Sequence, residues 1–453
     1  MSVLSEELGA LARRAPARPA LRAGGVAFTL AELAAAASAR ADALADAPRV
    51  AHVSLDGTDP SGFVVGFFAA RALGRVAVAR PPGIPEELAA RRESAASAAR
   101  TPSGGATVFY SSGSVGASKA VPLTDENLAA SALAFAPWAE IRAGDRVAIG
   151  LSPAHVFAFV RGVLNALLAG AEAAFFVPGR DPLGEADALG ADVVLLPSAL
   201  IGPAARRAGR GRGRGRRLRS VRAVLCGGGR LREEDAAAVE RIGGPSVRSG
   251  YGLTESAGLG ARQRCDRPRR PDSSGSVAPG LDVSIVAVHG APAGVGEPGE
   301  IRMRGPAVFG GYLSPDDPSP SPSPFDAEGR LCTGDVGVLG TDGELSVRGR
   351  LAYSLTSGGR VLCAEEVEAA LEEHPGVVRA AAAPLGRAFG VLVVAREGST
   401  GLIAGIRRHA ARRLPAHARP RRVLCVDELP LTAAGKVDRV EAARRLGDLL
   451  PPS

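Results

Sequence analysis

Phe109 to Thr124 reads F-Y-S-S-G-S-V-G-A-S-K-A-V-P-L-T, and the interpretation of the whole chain starts from this stretch. A short apolar segment of β character, residues 106–110, leads into hydroxyl side chains, two glycines and a lysine. Small residues let backbone N–H groups close around an anion, hydroxyls add donors, and lysine adds a mobile positive charge. The stretch therefore predicts a phosphate-binding loop, with a plain Gly/Ser-rich surface loop as the alternative. It is not the common nucleotide loop G-x-x-x-x-G-K-[ST], because Ser118 precedes Lys119.

Lysine usage points to the same loop. The chain has two lysines, Lys119 and Lys436, against 53 arginines. A chain that uses arginine wherever any cation suffices keeps lysine where a compact, flexible point charge is needed. Lys436 lies in a second glycine-containing motif, L-P-L-T-A-A-G-K-V-D-R, which runs from Leu429 to Arg439. Chance retention of the two lysines is the weaker interpretation.

Two further stretches carry side chains suited to nucleotide chemistry. His155 follows a predicted strand, residues 146–151, and precedes an apolar helix, which is where open α/β sheets place ligands. A packed, hydrogen-bonded histidine is the alternative. In G-Y-G-L-T-E, residues 250–255, a ring on a glycine-flanked turn offers a stacking face for a base. The hydroxyl of Thr254 can donate to a phosphate, and the carboxylate of Glu255 suits Mg²⁺, a hard, oxygen-seeking ion.

Taken in order, these motifs resemble those of the AMP-forming adenylating enzymes, the superfamily of acyl-CoA synthetases, peptide-synthetase adenylation domains and luciferases. Any one motif alone is a weak signal, whereas the joint order is strong. Besides the loop, the match rests on A-H-V-F (154–157), G-Y-G-L-T-E-S (250–256), T-G-D (333–335), G-R (349–350), S-G-G (357–359), A-E-E-V-E (364–368) and the motif around Lys436.

The resemblance implies a role for each matching residue. Lys436 becomes the adenylation lysine, Lys119 and Thr254 contact phosphate, His155 lines the acyl site, and Glu255 binds Mg²⁺. Tyr251 would stack on adenine, and Asp335 would accept the ribose hydroxyls. The implied nucleotide- and cofactor-binding set is Ser111, Ser112, Gly113, Ser114, Gly116, Gly228, Gly229, Tyr251, Gly252, Asp335, Arg350 and, beside a thiol tunnel, Gly358.

Alternating strand and helix patterns predict an α/β fold, and 453 residues are too many for one ordinary core. The resemblance implies a large AMP-binding domain over residues 1–349, built from α/β sheets and a small β subdomain. A hinge at residues 350–352 and a small α+β lid over residues 353–453 would follow. In the family, this lid rotates between a pose for adenylation and a pose for thiol transfer.

The formal net charge of +8 is misleading as a guide to partners. Residues 206–222 hold nine arginines and no acidic residue, so the remainder of the chain is close to neutral. This Arg-Gly tract has the look of an RNA-binding segment, but it lacks interleaved aromatic residues, and a solvated loop is the favoured interpretation. We therefore expect no nucleic-acid partner.

Cysteine usage and hydropathy set the expected compartment. The five cysteines are scattered and never form C-x-x-C, which favours reduced thiols, a cytoplasmic setting and no structural zinc. The start of the chain lacks the apolar core of a signal peptide. Charged residues interrupt the longest apolar runs, so no membrane span is expected.

Several positions depart from the family pattern. Val115 replaces a loop hydroxyl, and Asp125 stands where many acyl-CoA synthetases keep His. Ala352 sits where the hinge residue is usually Asp or Lys, and Thr356 sits where a lysine often follows. The stretch after His155, F-A-F-V-R, lacks the aspartate that anchors an α-amino acid, which favours an acyl or aryl acid.

The expected activity is an acyl-CoA synthetase-like ligase using ATP and Mg²⁺. It would convert a carboxylic acid into an acyl-adenylate with pyrophosphate release, and transfer the acyl group to coenzyme A or to carrier-protein phosphopantetheine. Two alternatives stay open. One is an acyl-AMP ligase or stand-alone adenylation enzyme that loads an acyl carrier protein, and the other is a catalytically weakened nucleotide-binding relative.

Overall fold

A computed structural model describes most of the chain, and it separates into two compact units. The described residues are 3–46, 52–98, 106–111, 119–136, 140–177, 179, 181–208, 218, 220–287, 290–313, 323–357, 360–386, 388–396, 401–430 and 437–447. The first unit comprises Met1–Val283, Met303–Leu331 and Asp342–Leu345, and the second comprises Ser284–Arg302, Cys332–Thr341 and Ser346–Ser453. The domain boundary expected at residue 349 and the hinge expected at 350–352 stay predictions.

Strands and helices alternate through both units. The strands are β1 (Pro19–Ala23), β2 (Val26–Thr29), β3 (His52–Asp56), β4 (Val76–Arg80), β5 (Thr107–Tyr110), β6 (Ala120–Leu123), β7 (Arg146–Ile149), β8 (Glu172–Phe175), β9 (Val193–Pro197), β10 (Ala223–Gly227), β11 (Ser246–Gly252), β12 (Gly260–Arg262), β13 (Gly275–Val277), β14 (Asp282–Val286), β15 (Gly299–Arg304), β16 (Leu331–Leu339), β17 (Glu344–Arg350), β18 (Ser354–Ser357), β19 (Arg360–Cys363), β20 (Val377–Leu385), β21 (Ala388–Ala395) and β22 (Arg422–Val426).

The helices are α1 (Val3–Arg14), α2 (Leu30–Asp46), α3 (Pro60–Ala72), α4 (Glu86–Ala98), α5 (Asp125–Phe135), α6 (Asn165–Ala169), α7 (Pro182–Ala188), α8 (Ser198–Ala208), α9 (Glu233–Gly243), α10 (Ala364–Glu372), α11 (Leu402–Arg413) and α12 (Arg439–Gly447). A π-helix spans Phe157–Leu164, and short 3₁₀ helices span Thr254–Ser256, Leu351–Tyr353 and Ala416–Ala418. No helix in the described part of the chain is both long and apolar enough to cross a bilayer.

The first unit contains two sheets. Strands β3, β4, β5 and β6 form one of them in that order, and its first three strands are parallel. The other has the order β13-β12-β11-β10-β9-β7-β8-β1-β2, with parallel pairing from β11 to β1 and antiparallel edges. The central strands are buried on both faces and read as continuous apolar runs, as parallel strands covered by helices require. The α/β prediction is confirmed.

Strands β14–β17 are neighbours in sequence order, and the second unit contains a three-stranded sheet with the order β20-β21-β22. Strand β21 pairs antiparallel with β20 and parallel with β22. Helices α10 and α11 pack on this sheet through an apolar core that includes Val367, Leu371, Phe389 and Ile406. The sequence predicts helix, two strands, helix and strand after residue 363, and the structure has this order in α10, β20, β21, α11 and β22.

Three local expectations differ from the structure. The pattern of residues 1–100 predicts three strands, whereas the structure has four, because β1 and β2 form a hairpin. Tyr251 lies in strand β11 rather than on a turn, since residues 250–252 pair antiparallel with β12. The T-G-D motif predicts Asp335 directly after a strand, whereas Asp335 lies inside β16. Glycines in both motifs suggest turns, but the ladder partners that make these segments strands lie outside the motifs.

Candidate active site

The predicted phosphate loop connects two paired strands. Strands β5 and β6 are antiparallel neighbours, and the backbone N–H of Ser111 donates to the carbonyl of Lys119 at 3.0 Å. This bond closes the base of the loop and fixes where the chain enters and leaves it. Phe109 of β5 packs against Phe159 of the π-helix, with ring centroids 6.0 Å apart. Ser112, Gly113, Ser114, Val115 and Gly116 lie outside the described residues.

The T-E-S segment forms a tight turn directly after β11. Its backbone needs small residues, because a Cβ on Gly252 would lie 2.3 Å from the carbonyl oxygen of Gly258. Ala257 is held in the left-handed region at φ 51°, an uncommon conformation for a residue with a Cβ. Ser131 supports it by donating its hydroxyl to the Ala257 carbonyl at 2.8 Å. The turn is thus a constrained backbone feature that presents Thr254 and Glu255.

Glu255 and Lys119 meet the same tyrosine. The hydroxyl of Tyr312 donates to Glu255 Oε1 at 2.8 Å, and Lys119 Nζ lies 4.5 Å from the centroid of the Tyr312 ring. Glu255 is buried, Tyr312 is half-buried and Lys119 is exposed. A carboxylate at its hydroxyl and an ammonium over its ring therefore contact one tyrosine, and they belong to the residues that the sequence predicts as a metal ligand and a phosphate contact.

Backbone hydrogen bonds fix the segment that carries Tyr312. The N–H of Phe309 donates to the Glu255 carbonyl at 2.8 Å, and the N–H of Leu313 donates to the Ala120 carbonyl at 3.1 Å. The side-chain amide of Asn127 donates to the carbonyls of Pro306 at 2.8 Å and Val308 at 3.0 Å. The segment is thereby tied to the T-E-S turn, to strand β6 and to helix α5.

His155 lies between the carboxyl end of β7 and the π-helix, as the sequence predicts. Its backbone N–H donates to Ser152 O at 3.0 Å, and Ser152 Oγ donates to Gly57 O at 2.8 Å. The side chain is exposed, yet surrounding protein atoms desolvate the ring and lower the pKa of His155. The neutral imidazole is favoured near pH 7 as a result.

The glycine turn after β10 exposes the backbone of Gly228 and Gly229, with no side chain covering it from these residues. Gly228 has φ 78°, and a Cβ added there would have no described atom within 4 Å. At Gly229 the nearest atom would be Ser198 Cβ at 3.9 Å, and Ser198 Oγ donates to the Gly227 carbonyl at 3.2 Å. This geometry lets a flat ligand approach the backbone at Gly228 and Gly229.

Two buried arginines flank one ring beneath the T-E-S turn. The guanidinium carbons of Arg161 and Arg262 lie 4.1 and 4.7 Å from the Phe135 ring centroid. Arg161 donates to the Ser131 carbonyl at 2.8 Å and to its hydroxyl at 2.5 Å. Burial, and secondarily the neighbouring Arg262, lowers the pKa of Arg161 to about 9. Arg161 thus supports Ser131, which in turn holds Ala257.

Asp335 and Arg350 form an ion pair in the second unit. Arg350 Nε lies 2.8 Å from Asp335 Oδ1, and Asp335 is 4% exposed. Thr333 orders this motif, since its hydroxyl accepts from the Asp335 N–H at 3.0 Å and donates to the Ile301 carbonyl at 2.6 Å. Gly334 adopts φ 67°, which explains the glycine of T-G-D. The pairing brings together two residues that the sequence assigns to nucleotide binding.

Some predicted positions are outside the described residues or have a structural role. Lys436 and Gly358 belong to the first group. Asp125 belongs to the second, because its Oδ1 lies 2.8 Å from Nε of the fully buried Arg71. An aspartate in place of a family histidine is explained by this buried pair. Sequence reasoning missed Tyr312. The available signal was that a glycine directly precedes this tyrosine, in G-G-Y at residues 310–312, as a glycine precedes Tyr251.

Family models match both parts of the chain. The AMP-binding enzyme model matches residues 87–313, half of the chain, and the model of the AMP-binding enzyme C-terminal domain matches residues 366–436.

Among curated proteins, the chain is 29% identical over 420 residues to the salicyl-AMP ligase / salicyl-S-ArCP synthetase of Mycobacterium tuberculosis, covering 89% of this chain and 69% of that protein. It is 29% identical over 361 residues to the oxalate–CoA ligase of Arabidopsis thaliana, covering 77% of this chain and 68% of that protein. Among solved structures, ATP-bound MatB from Rhodopseudomonas palustris has a TM-score of 0.81 at 21% identity, covering 98% of this chain and 99% of that one. At that identity the structural likeness concerns the fold.

Proposed function

Because the chain belongs to the AMP-binding enzymes, we propose that it activates a carboxylic acid with ATP and transfers the acyl group to a thiol. One observation carries the proposal. The buried carboxylate of Glu255 and the ammonium of Lys119 share Tyr312, and Lys119 closes the base of the Ser/Gly-rich loop. An ammonium that can contact phosphate and a carboxylate suited to Mg²⁺ thus share one tyrosine in the first unit.

The chemistry has two steps. In the first, a carboxylate oxygen of the acid attacks the α-phosphorus of ATP, the bond to the bridging oxygen breaks, and pyrophosphate leaves. In the second, a thiolate attacks the acyl carbonyl carbon, and AMP leaves with the oxygen through which the acyl group was bound. Negative charge accumulates on the phosphate oxygens in the first step, where Lys119 and the Thr254 hydroxyl stabilise it.

The residues present fit a magnesium ion. Mg²⁺ is usually held by one or two carboxylates together with substrate phosphates and water, so a dedicated cage of acidic residues is not required. Glu255 Oε1 accepts one hydrogen bond from Tyr312, and a carboxylate has further lone pairs available. When bound, Mg²⁺ offsets phosphate charge. Glu255 would hold it.

We assign nucleotide-binding roles to residues of each unit taken by itself. In the first unit, bare backbone at Gly228 and Gly229 and the ring of Tyr251 at the end of β11 suit a purine. In the second unit, the Asp335 carboxylate suits paired ribose hydroxyls, and Arg350 fixes its orientation. We also assign Gly252 to nucleotide binding, because its lack of a side chain lets the backbone after the T-E-S segment, at Gly258, pack directly against it.

The acid is proposed to be an acyl or aryl acid. Residues 157–161, F-A-F-V-R, form the start of the π-helix and include no carboxylate that could hold an α-ammonium group. The neutral His155 at its start would line the acid site. The thiol acceptor is coenzyme A or the phosphopantetheine of an acyl carrier protein, and Gly358 would lie beside its path. A cytoplasmic setting remains part of this proposal, resting on the scattered cysteines.

A pyrophosphate-release screen tests the function. The protein is incubated with ATP, Mg²⁺ and a panel of fatty, aryl and dicarboxylic acids, and pyrophosphate is measured with and without coenzyme A or a phosphopantetheinylated carrier. We expect release that depends on one class of acid, and thioester with one acceptor. A carrier-only result identifies the carrier-loading alternative. No release with any acid, together with measurable ATP binding, identifies the catalytically weakened relative and refutes the proposal.

A further inference from the structure

Tyr312 lies between the two charged groups that the proposed reaction uses. Its hydroxyl contacts Glu255 Oε1 at 2.8 Å, and its ring face lies 4.5 Å from Lys119 Nζ. Hydrogen bonding to the carboxylate uses the edge of the side chain, and attraction of the ammonium uses its face. The two contacts are therefore separable by substitution, because phenylalanine keeps the face and loses the hydroxyl.

Backbone hydrogen bonds on both sides of Tyr312 in the chain, together with one ring contact, set its position. Phe309 and Leu313 lie on either side of Tyr312 in the sequence. Their backbone N–H groups donate hydrogen bonds to Glu255 O and Ala120 O, respectively. The ring of Phe309 also packs edge-on against Tyr312, with centroids 4.9 Å apart. Both anchors belong to the segments that carry the charged groups, since Ala120 follows Lys119 directly. The ring is held at a fixed distance from each charge.

A hydrogen bond to a buried carboxylate has a defined effect on metal binding. Glu255 is 8% exposed, so little water is available to orient its oxygens. A donor on Oε1 selects one orientation of the carboxylate and leaves the remaining lone pairs for a cation. Partners that orient a metal-ligating group typically change metal affinity about 10- to 100-fold when they are removed.

We propose that Tyr312 is a positioning residue, whose hydroxyl orients Glu255 for Mg²⁺ and whose ring restrains Lys119 for the phosphates. This inference rests on the proposed function. It adds a residue that lies outside every motif used to identify the site, and it predicts that one side chain couples metal affinity to nucleotide affinity.

The test compares Tyr312→Phe, Tyr312→Leu and the control Ser54→Ala. The hydroxyl of Ser54 donates to Glu93 Oε1 at 2.6 Å, so the control removes a hydroxyl-to-glutamate hydrogen bond at a different place in the same unit. For each protein, the Mg²⁺ concentration for half-maximal pyrophosphate release, the KM for ATP, kcat and the unfolding midpoint are measured. Mg²⁺-dependent displacement of a fluorescent ATP analogue is followed in parallel, because it requires no turnover.

For Tyr312→Phe we expect the half-saturating Mg²⁺ concentration to rise about 10-fold or more, with kcat restored at saturating Mg²⁺ and an unchanged unfolding midpoint. Tyr312→Leu should show the same shift together with a higher KM for ATP, since Lys119 also loses its ring contact. In a Glu255→Gln background, Tyr312→Phe should have no further effect on Mg²⁺ dependence, because the coupled partner is gone. Ser54→Ala should match the unaltered protein.

An unchanged Mg²⁺ curve for Tyr312→Phe overturns the proposal. So does a fall in kcat and unfolding midpoint without a Mg²⁺ shift, which would show that Tyr312 only supports the fold. If the unaltered protein releases no pyrophosphate with any acid, the proposed function fails. The displacement assay still decides the role of Tyr312 in that case, since it reports on Mg²⁺ and nucleotide binding alone.

Discussion

Among single residues, Asp335 combines deep burial with a strong partner. Its carboxylate is paired with Arg350 and its backbone is fixed by Thr333, so it presents a preformed acceptor. Ribose hydroxyls are held similarly in the ground state and the transition state, and such uniform binding affects affinity more than turnover.

Asp335→Asn is therefore expected to raise the Kd and KM for ATP about 10-fold, equivalent to about 1.4 kcal/mol, while kcat falls far less. The measurement is ATP titration by calorimetry together with steady-state kinetics. Asp342→Asn is the control, because Asp342 also pairs with an arginine, Arg270, but at an exposed site. Unchanged ATP affinity in Asp335→Asn would show that this carboxylate has only a structural role in β16.

Lys436 remains a prediction from sequence, since it lies outside the described residues. We expect Lys436→Ala to abolish acyl-adenylate formation, because a cation that reaches both the carboxylate and the α-phosphate combines charge with orientation. ATP binding and the unfolding midpoint should be largely retained. Pyrophosphate exchange would be followed in this variant and, for comparison, in Arg445→Ala on α12. A full exchange rate in Lys436→Ala would contradict the assignment.

Among the elements, helix α5 links the fold to the site through its first turn. Thr124 and Asn127 form a reciprocal capping box, as the sequence predicts for the N-cap and N3 positions. Asn127 additionally donates two hydrogen bonds to the segment that leads to Tyr312. The Asn127 side chain thus caps the start of α5 and also restrains the segment that carries Tyr312.

Thr124→Ala should lower the free energy of unfolding by about 1 kcal/mol, the usual cost of losing a cap. Asn127→Ala should cost more, about 2–3 kcal/mol, because two carbonyls also lose their donor. Denaturant unfolding of both variants measures the difference. Asn127→Ala should also raise the Mg²⁺ requirement, whereas Thr124→Ala should not. Equal unfolding costs would show that the bonds to Pro306 and Val308 contribute nothing measurable.

For the molecule as a whole, we expect the free energy of unfolding to depend on pH through Glu365 of the second unit. This residue begins α10 beside Gly349, where a Cβ would lie 2.4 Å from Glu365 Oε2. Desolvation raises the pKa of Glu365 to about 7, against the opposing influence of Arg439. The folded state therefore holds this proton more tightly than the unfolded chain does. Its contribution to stability is present below the unfolded pKa of 4.5 and is lost as pH rises towards 7.

Glu365→Gln is accordingly expected to stabilise the protein relative to the unaltered chain at pH 8, with the difference shrinking towards pH 5. Free energies of unfolding measured across this range provide the test. Glu366→Gln, on the same turn but exposed, should show no such trend. A constant offset for Glu365→Gln at all pH values would mean that the carboxyl does not titrate differently on folding.

Much of the architecture and the site follows from local sequence. Apolar runs and their breaks predict the buried strands β4, β7, β9 and β10, and the capping pattern of Thr124 and Asn127 predicts the start of α5. The glycine, hydroxyl and lysine content of residues 109–124 predicts where an anion binds. These features are local because helix caps, strand burial and loop flexibility depend on residues close together in the chain.

Only the tertiary structure decided which distant residues meet. That Tyr312 contacts both Glu255 and Lys119, that Arg161 reaches Ser131, and that Arg71 pairs with Asp125 depends on how strands and loops pack. Tyr251 and Asp335 lie in strands because of ladder partners elsewhere in the chain. A periodic pattern specifies which face of an element is buried, whereas side-chain partners are specified by packing across elements, where no spacing rule applies.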